Sequence, residues 1–245
     1  KRGSDDSLIV AASAATATRL AQGAYPGNSM DQVKWVGTIG ADYGVIAVAG
    51  DSDVVTLGEL LENLKNKPKK WVIGGGSAVG GWDHLKVLMA AKEYGISNVR
   101  KIKYVSFDGG GDAVTQLLAG NVQIFTGDVS EIKGFVDAGD IKIIAVLSPN
   151  RLPGDFSKFY TAKEQGVNVV GANWRGFYVP KGMSDDAYNF WAGAIKKMYD
   201  TPQWKKTMAK NGLAPLDLSG KAFEAFVANS VASIQTISKQ IGIIK

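Results

Sequence analysis

Short apolar runs alternate with stretches of helical spacing along almost the whole chain. The runs Leu8–Ala12, Trp71–Gly74, Lys103–Phe107, Val122–Thr126, Ile141–Leu147 and Trp174–Pro180 are rich in β-branched and aromatic residues and read as strands. Trp35–Ile39 and Tyr43–Ala49 read as two more. Between them the period changes. Leu57, Leu60, Leu61 and Leu64 share one face of a helix over 56–67, with Thr56 and Glu59 at capping-box spacing and Pro68 as its stop. Leu85, Leu88 and Met89 mark the inward face of a helix from Trp82 to Tyr94. Further helices are predicted over 112–119, 130–138, 161–165, 185–199, 202–211 and 221–241, two of them closed by Gly120 and Gly139. Ser13–Thr18, small and hydroxylated, reads as a loop entering a short helical turn. Strands alternating with helices of this length predict right-handed βαβ units and an α/β fold with mostly parallel sheets flanked by helices.

Composition narrows the chemistry more than it narrows the fold. The 245 residues suffice for one large domain or two lobes, and 45% hydrophobic against 21% charged residues excludes wholesale disorder. No apolar run reaches the ~18 residues of a spanning helix. Cysteine is absent and His84 is the single histidine, so thiol chemistry, cysteine zinc sites and multi-histidine metal sites are excluded, and no cofactor is expected. The net charge of +5 comes from one region. Residues 1–48 carry four charges of each sign and 49–172 fourteen of each, whereas 173–245 carry ten basic and five acidic. The surplus lysines fall on surface helices without an aromatic-basic stripe, so no nucleic-acid partner is predicted. The opening Lys1-Arg2-Gly3-Ser4 lacks the apolar core of a signal peptide and leads almost at once into a strand.

Glycine supplies the most specific signal. Two glycine loops, Gly74–Gly81 and Asp108–Gly111, each follow a strand and open a helix. In α/β sheets ligands sit beyond the carboxyl ends of strands, where free N–H groups and the positive end of the helix dipole attract anions. Neither loop matches the phosphate-loop or dinucleotide pattern, and Asp108 and Asp112 beside the second would repel a polyanion. A small carboxylate fits better. Gly75, Gly76, Ser77, Gly80, Gly81, Gly109 and Gly110 are therefore candidate contacts, joined by Ser13 and Thr16 at a third strand–helix junction. His84 reads as a structural or ligand-contacting residue rather than a base. Asp128 either orients a ligand group or caps the helix that follows it. Tyr43 and Trp174 are core residues by default, with Trp174 able to line a cleft. No nucleophile elbow or catalytic set is present, and the chain reads as no enzyme.

Gly74-Gly75-Gly76-Ser77-Ala78-Val79-Gly80-Gly81-Trp82-Asp83-His84-Leu85 resembles the loop ending in His-Leu of the Bug/TctC family, the extracytoplasmic solute-binding proteins of tripartite tricarboxylate transporters. Tyr104 to Ala113 is similar to that family's glycine-triplet segment, and Leu117–Val122, Ala138-Gly139, Ile144–Pro153 and Phe177–Gly182 follow in the family's order. The resemblance runs from about Ser4 to Ile244. It implies a two-lobed, periplasmic-binding-protein-like clamshell of type II, with lobe one at 1–48 plus 173–245 and lobe two at 49–172. It further implies a periplasmic, monomeric receptor that captures a di- or tricarboxylate such as citrate, or a related organic acid, between its lobes and passes it to the membrane components of the transporter.

Two features depart from the family pattern. No counterpart is found for the strand–loop–helix–strand that the family places before the segment matching Leu8–Ala12, so half of the expected ligand clamp has no match in the chain. Trp82 is also bulkier than the family position suggests. The competing reading is a two-lobed α/β enzyme that binds a phosphorylated or nucleotide ligand in the same loops.

Overall fold

The computed structural model describes residues 2–244, which divide into two compact units. The first takes the described residues up to Ala41 with Asn173–Lys239 and Ile244; the second takes Asp42–Ala172 with Gln240–Ile243. Among the described residues no helix is long and apolar enough to cross a membrane.

In the first unit, β1 (Val10–Ser13) lies antiparallel to β7 (Ala172–Pro180), in register from Val10 opposite Tyr178 to Ser13 opposite Arg175. Helix α1 (Ala14–Ala21) begins directly at the end of β1, so Ser13–Thr18 is a helix start rather than a loop. The helices α6 (Asp185–Asp200), α7 (Pro202–Lys210) and α8 (Gly220–Gln240) complete this unit. Its core is aromatic: Trp35, Trp174 and Phe223 meet edge to face with ring centroids 5.3–6.0 Å apart.

In the second unit the strand order is β6-β2-β5-β3-β4. The strands are the part of β2 (Val33–Ala49) from Asp42 onward, β3 (Ile73–Gly75), β4 (Tyr104–Ser106), β5 (Ile124–Asp128) and β6 (Ile141–Val146). Parallel pairing is narrower than the alternation predicts. It joins β3 to β4 and β5, whereas β2 runs antiparallel to β5 and β6. Helices α3 (Trp82–Glu93), α4 (Gly110–Leu118) and α5 (Val129–Ala138) pack on this sheet, and α2 (Leu57–Asn66) belongs to the same unit. Thr56 and Glu59 form the predicted capping box, and Leu57, Leu60, Leu61 and Leu64 are all fully buried.

Two sequence expectations fail in this fold. The strands read at 35–39 and 43–49 are one strand of 17 residues, because Gly40 continues it at φ +139°, a conformation that a residue with a side chain would adopt only under strain. The helix expected over 161–165 is a set of turns. Its first backbone groups are spent on the end of β6: Val146 N–H donates to Tyr160 C=O at 3.0 Å and Ala162 N–H to Val146 C=O at 2.9 Å.

Candidate functional site

Strands β3 and β4 run parallel and deliver the two glycine loops to the same end of the sheet. There the loops touch. A Cβ on Gly76 would stand 2.6 Å from the carbonyl carbon of Gly109 and 2.7 Å from the nitrogen of Gly110, so only glycine permits this backbone approach. Gly109 caps α4 with φ +138°, a conformation closed to side-chain-bearing residues at little cost. Among the described residues, the N–H groups of Ser77, Ala78 and Val79 have no protein acceptor, and neither do those of Gly110, Gly111 and Asp112 at the start of α4. These free N–H groups thus belong to the two loops that meet at one backbone contact. That is a surface suited to a small anion.

The side chains of the first loop hold it rather than extend from it. His84 Nδ1 accepts the Gly80 N–H at 3.0 Å, and its ring stacks on Tyr104 at 4.4 Å between centroids. Tyr104 donates its hydroxyl to the Ser77 carbonyl at 2.8 Å. Ser77 Oγ accepts the Asp83 N–H at 3.0 Å, which caps α3 from within the loop because Gly81 has no side chain to do so. Burial lowers the His84 pKa to about 4 and raises that of Tyr104 to about 12, so both rings are neutral at ordinary pH. Gly80 takes φ +81°, and the Gly81 N–H closes the turn on Ala78 C=O at 2.7 Å.

Beneath the loops lies an ionic cluster that sequence reading missed. Lys86 has no exposed side-chain surface. Its Nζ reaches Asp128 and the Gly127 carbonyl at 2.7 Å each and Asp83 at 3.0 Å. Burial opposes its charge, but Asp128 and Asp83 outweigh that and hold its pKa above the ordinary lysine range. Asp128 opens α5 in a capping box with Glu131, whose carboxylate accepts the Asp128 N–H at 2.8 Å. Burial pushes the Glu131 pKa upward.

Of the residues singled out by sequence, Gly75, Gly76, Ser77, Gly80, Gly81, His84, Gly109, Gly110 and Asp128 belong to this second-unit constellation. The remaining four have other placements. Ser13 and Thr16 spend their hydroxyls on the capping box of α1, and Thr16 also borders a cavity of about 240 Å³ within the first unit beside Tyr25, Trp35 and Tyr178. Trp174 is 1% exposed and packed against Trp35, Phe223 and Phe226, a core position. Tyr43 is half-buried in β2, and burial raises its pKa. Among the described residues, no group of three or more histidines and carboxylates has the arrangement to hold a metal ion.

Parallel strands that feed glycine loops into helix starts suit an α/β protein that binds a small solute. The comparisons agree. A family model described as the tripartite tricarboxylate transporter family receptor matches residues 4–243, and the chain belongs to that family. The family is one of receptors rather than enzymes. The chain is 23% identical over 206 residues to a UPF0065 protein of Cupriavidus necator, covering 84% of this chain and 61% of the relative. It thus spans about 60% of the length of the curated relatives it matches. Solved structures share its fold, among them three proteins with high structural likeness. Periplasmic binding protein BugD gives a TM-score of 0.82 at 21% identity, covering 98% of this chain and 80% of its own. A Rhodopseudomonas palustris protein with adipate gives 0.83 at 19%, covering 96% and 77%. MatC of the same organism with bound malate gives 0.78 at 14%, covering 95% and 79%.

Proposed function

We propose that this chain acts as a periplasmic solute receptor that takes a small organic carboxylate onto the amides of Ser77–Val79 and Gly110–Asp112. It passes that solute to the membrane components of a tripartite tricarboxylate transporter. The observation carrying this reading is the pair of touching loops, with donors supplied by backbone alone and no lysine or arginine in either loop. An anion held this way needs close backbone approach, which Gly76 and Gly109 permit. Family membership and the acids bound by the two Rhodopseudomonas palustris proteins support the carboxylate class. Gly75, Gly80 and Gly81 shape the loops, His84 and Ser77 fix them, and Asp128 anchors the adjoining helix start. No step of bond making or breaking is assigned to the site.

Thermal melting with a panel of carboxylates (citrate, succinate, malate, adipate) beside a panel of nucleotides tests the reading. A ligand at a hundred times its Kd stabilises by about 2.7 kcal/mol, which shifts the melt of a chain this long by roughly 5–11 °C. A shift with at least one acid and none with nucleotides is expected. Shifts with nucleotides alone overturn the receptor reading in favour of the nucleotide-binding alternative.

A further inference from the structure

The charges of the second unit are sorted by position. Residues 49–172 carry fourteen basic residues, and seven of these fall within 63–73 and 95–104, two segments that hold no carboxylate. The segments lead into β3 and β4, which run parallel with Ile73 opposite Tyr104. Their lysines therefore gather where those strands begin, at the end of the sheet away from the glycine loops. At the loop end the first turns of α3, α4 and α5 carry Asp83, Asp112 and Glu131. The unit is polarised, positive at one end and acidic at the other.

Lys65, Lys67, Lys69, Lys101 and Lys103 are all exposed. Among the described residues Lys65 has one carboxylate partner, Glu62 at 3.7 Å, and the other four have none. Interspersed signs suffice to keep a surface soluble. A cluster of one sign repels itself and steers an anionic partner toward it.

The patch also has a hollow. A recess of about 190 Å³ is lined by the exposed Lys65 and Lys101 and by the buried Leu64, Ile96 and Ile102. An apolar cavity of ~150 Å³ takes a benzene ring, so this recess has room for one aliphatic or aromatic side chain. A lipid surface is the other anionic partner to weigh, and proteins that lie on one add apolar side chains that enter it. Among the described residues, no large exposed apolar side chain falls in either lysine segment. The patch receives an apolar group rather than offering one. We infer that this end of the second unit docks an acidic polypeptide segment, its carboxylates over the lysines and one apolar side chain in the recess. The dock stands apart from the solute reading, because it and the glycine loops occupy opposite ends of β3 and β4.

The probe is a short peptide of alternating aspartate and glutamate around one phenylalanine, titrated calorimetrically into the unmodified chain. Beside it run the same peptide with alanine at the centre and vesicles of phosphatidylcholine with phosphatidylglycerol. The phenylalanine peptide should bind about tenfold or more tighter than the alanine peptide, the worth of burying one large apolar side chain. Lys65→Gln combined with Lys101→Gln should weaken it roughly three- to thirtyfold. Lys205→Gln combined with Lys206→Gln removes the same charge from α7 of the first unit and should leave it unchanged. Melts confirm that both double variants fold. Raising salt from about 0.01 M to about 0.15 M shortens the screening length from ~30 Å to ~8 Å and should weaken binding of the peptide. Equal affinity for the two peptides, equal effects of the two double variants, or no peptide binding overturns the inference. Binding to the vesicles in preference to either peptide overturns it in favour of a lipid surface. Each of these outcomes leaves the solute reading standing.

Discussion

Lys86 and Asp128, 42 residues apart in sequence, meet at 2.7 Å in the interior of the second unit. The pair fastens α3 to the junction of β5 and α5. Asp83 completes the cluster from the first turn of α3. Replacing Lys86 with methionine keeps most of the volume but leaves the buried Asp128 and the partly buried Asp83 without their shared counter-charge. The expected cost is about 3–5 kcal/mol, a fall in melting temperature of roughly 6–20 °C. A melt lowered by less than about 2 °C would show that the cluster contributes little to the fold.

Stability should fall with pH in a window set by His84. Its folded-state pKa of about 4 lies below the ordinary value of 6.5, because burial disfavours the imidazolium. The unfolded chain therefore takes up the proton first. The neutral ring's contribution is complete above about pH 6.5 and is lost as pH falls toward 4, amounting to about 3 kcal/mol at most. Denaturant unfolding at pH 7 and at pH 4.5, for the unmodified chain and His84→Gln, isolates this from the carboxylates. The variant should be less stable at pH 7 and lose less on acidification; parallel losses in both would remove His84 from the account.

Gly76→Ala should damage the site more than Gly110→Ala. The added methyl at 76 meets backbone atoms of Gly109 and Gly110 under 3 Å away, whereas at 110 it meets the movable end of Glu131. Overpacking of the first kind costs about 1–3 kcal/mol. Displacing Glu131 sacrifices its hydrogen bond to the Asp128 N–H, about 1 kcal/mol. Paired denaturation curves check the order, and calorimetry on the same samples should show the larger loss of acid affinity in Gly76→Ala.

Tyr104→Phe separates loop position from loop packing. Phenylalanine retains the stack on His84 but releases the Ser77 carbonyl. Because the peptide is planar, fixing that carbonyl also aims the Ala78 N–H to the opposite side. Loss of the bond should lower stability by about 0.5–1.5 kcal/mol and weaken binding of the best acid roughly three- to tenfold. Unchanged affinity would mean that the Ala78 amide does not face the solute.

The elements that carry strong local rules were legible in the sequence. Thr56, Glu59 and Pro68 bracket α2, Gly139 ends α5 in the left-handed conformation, and the glycine triplets mark both strand–helix junctions. Lys86 was not legible, because α3 is buried around almost all of its circumference. A helical period of 3.6 has no contrast in such a helix, and a lysine next to Leu85 reads as surface. Its position is explained by the approach of Asp128 and the Gly127 carbonyl from β5, together with Asp83. Glu131 was hidden for a related reason. Locally it is the partner in a capping box, and its nearness to Gly110 depends on how α4 and α5 pack. Glycine misled once, at Gly40, where a residue type associated with breaks continues the longest strand.

The contact of Gly76 with Gly109 and Gly110 also limits how such a receptor can diversify. Two segments more than thirty positions apart share one van der Waals boundary, so a residue inserted in either loop would collide with the other. A change of loop length demands two coordinated insertions, a rare event in any lineage. Single substitutions at a rim position with room to vary, such as the exposed Val79, leave that boundary intact. Descendants of this chain would therefore acquire new solutes by exchanging side chains around an unchanging backbone seat.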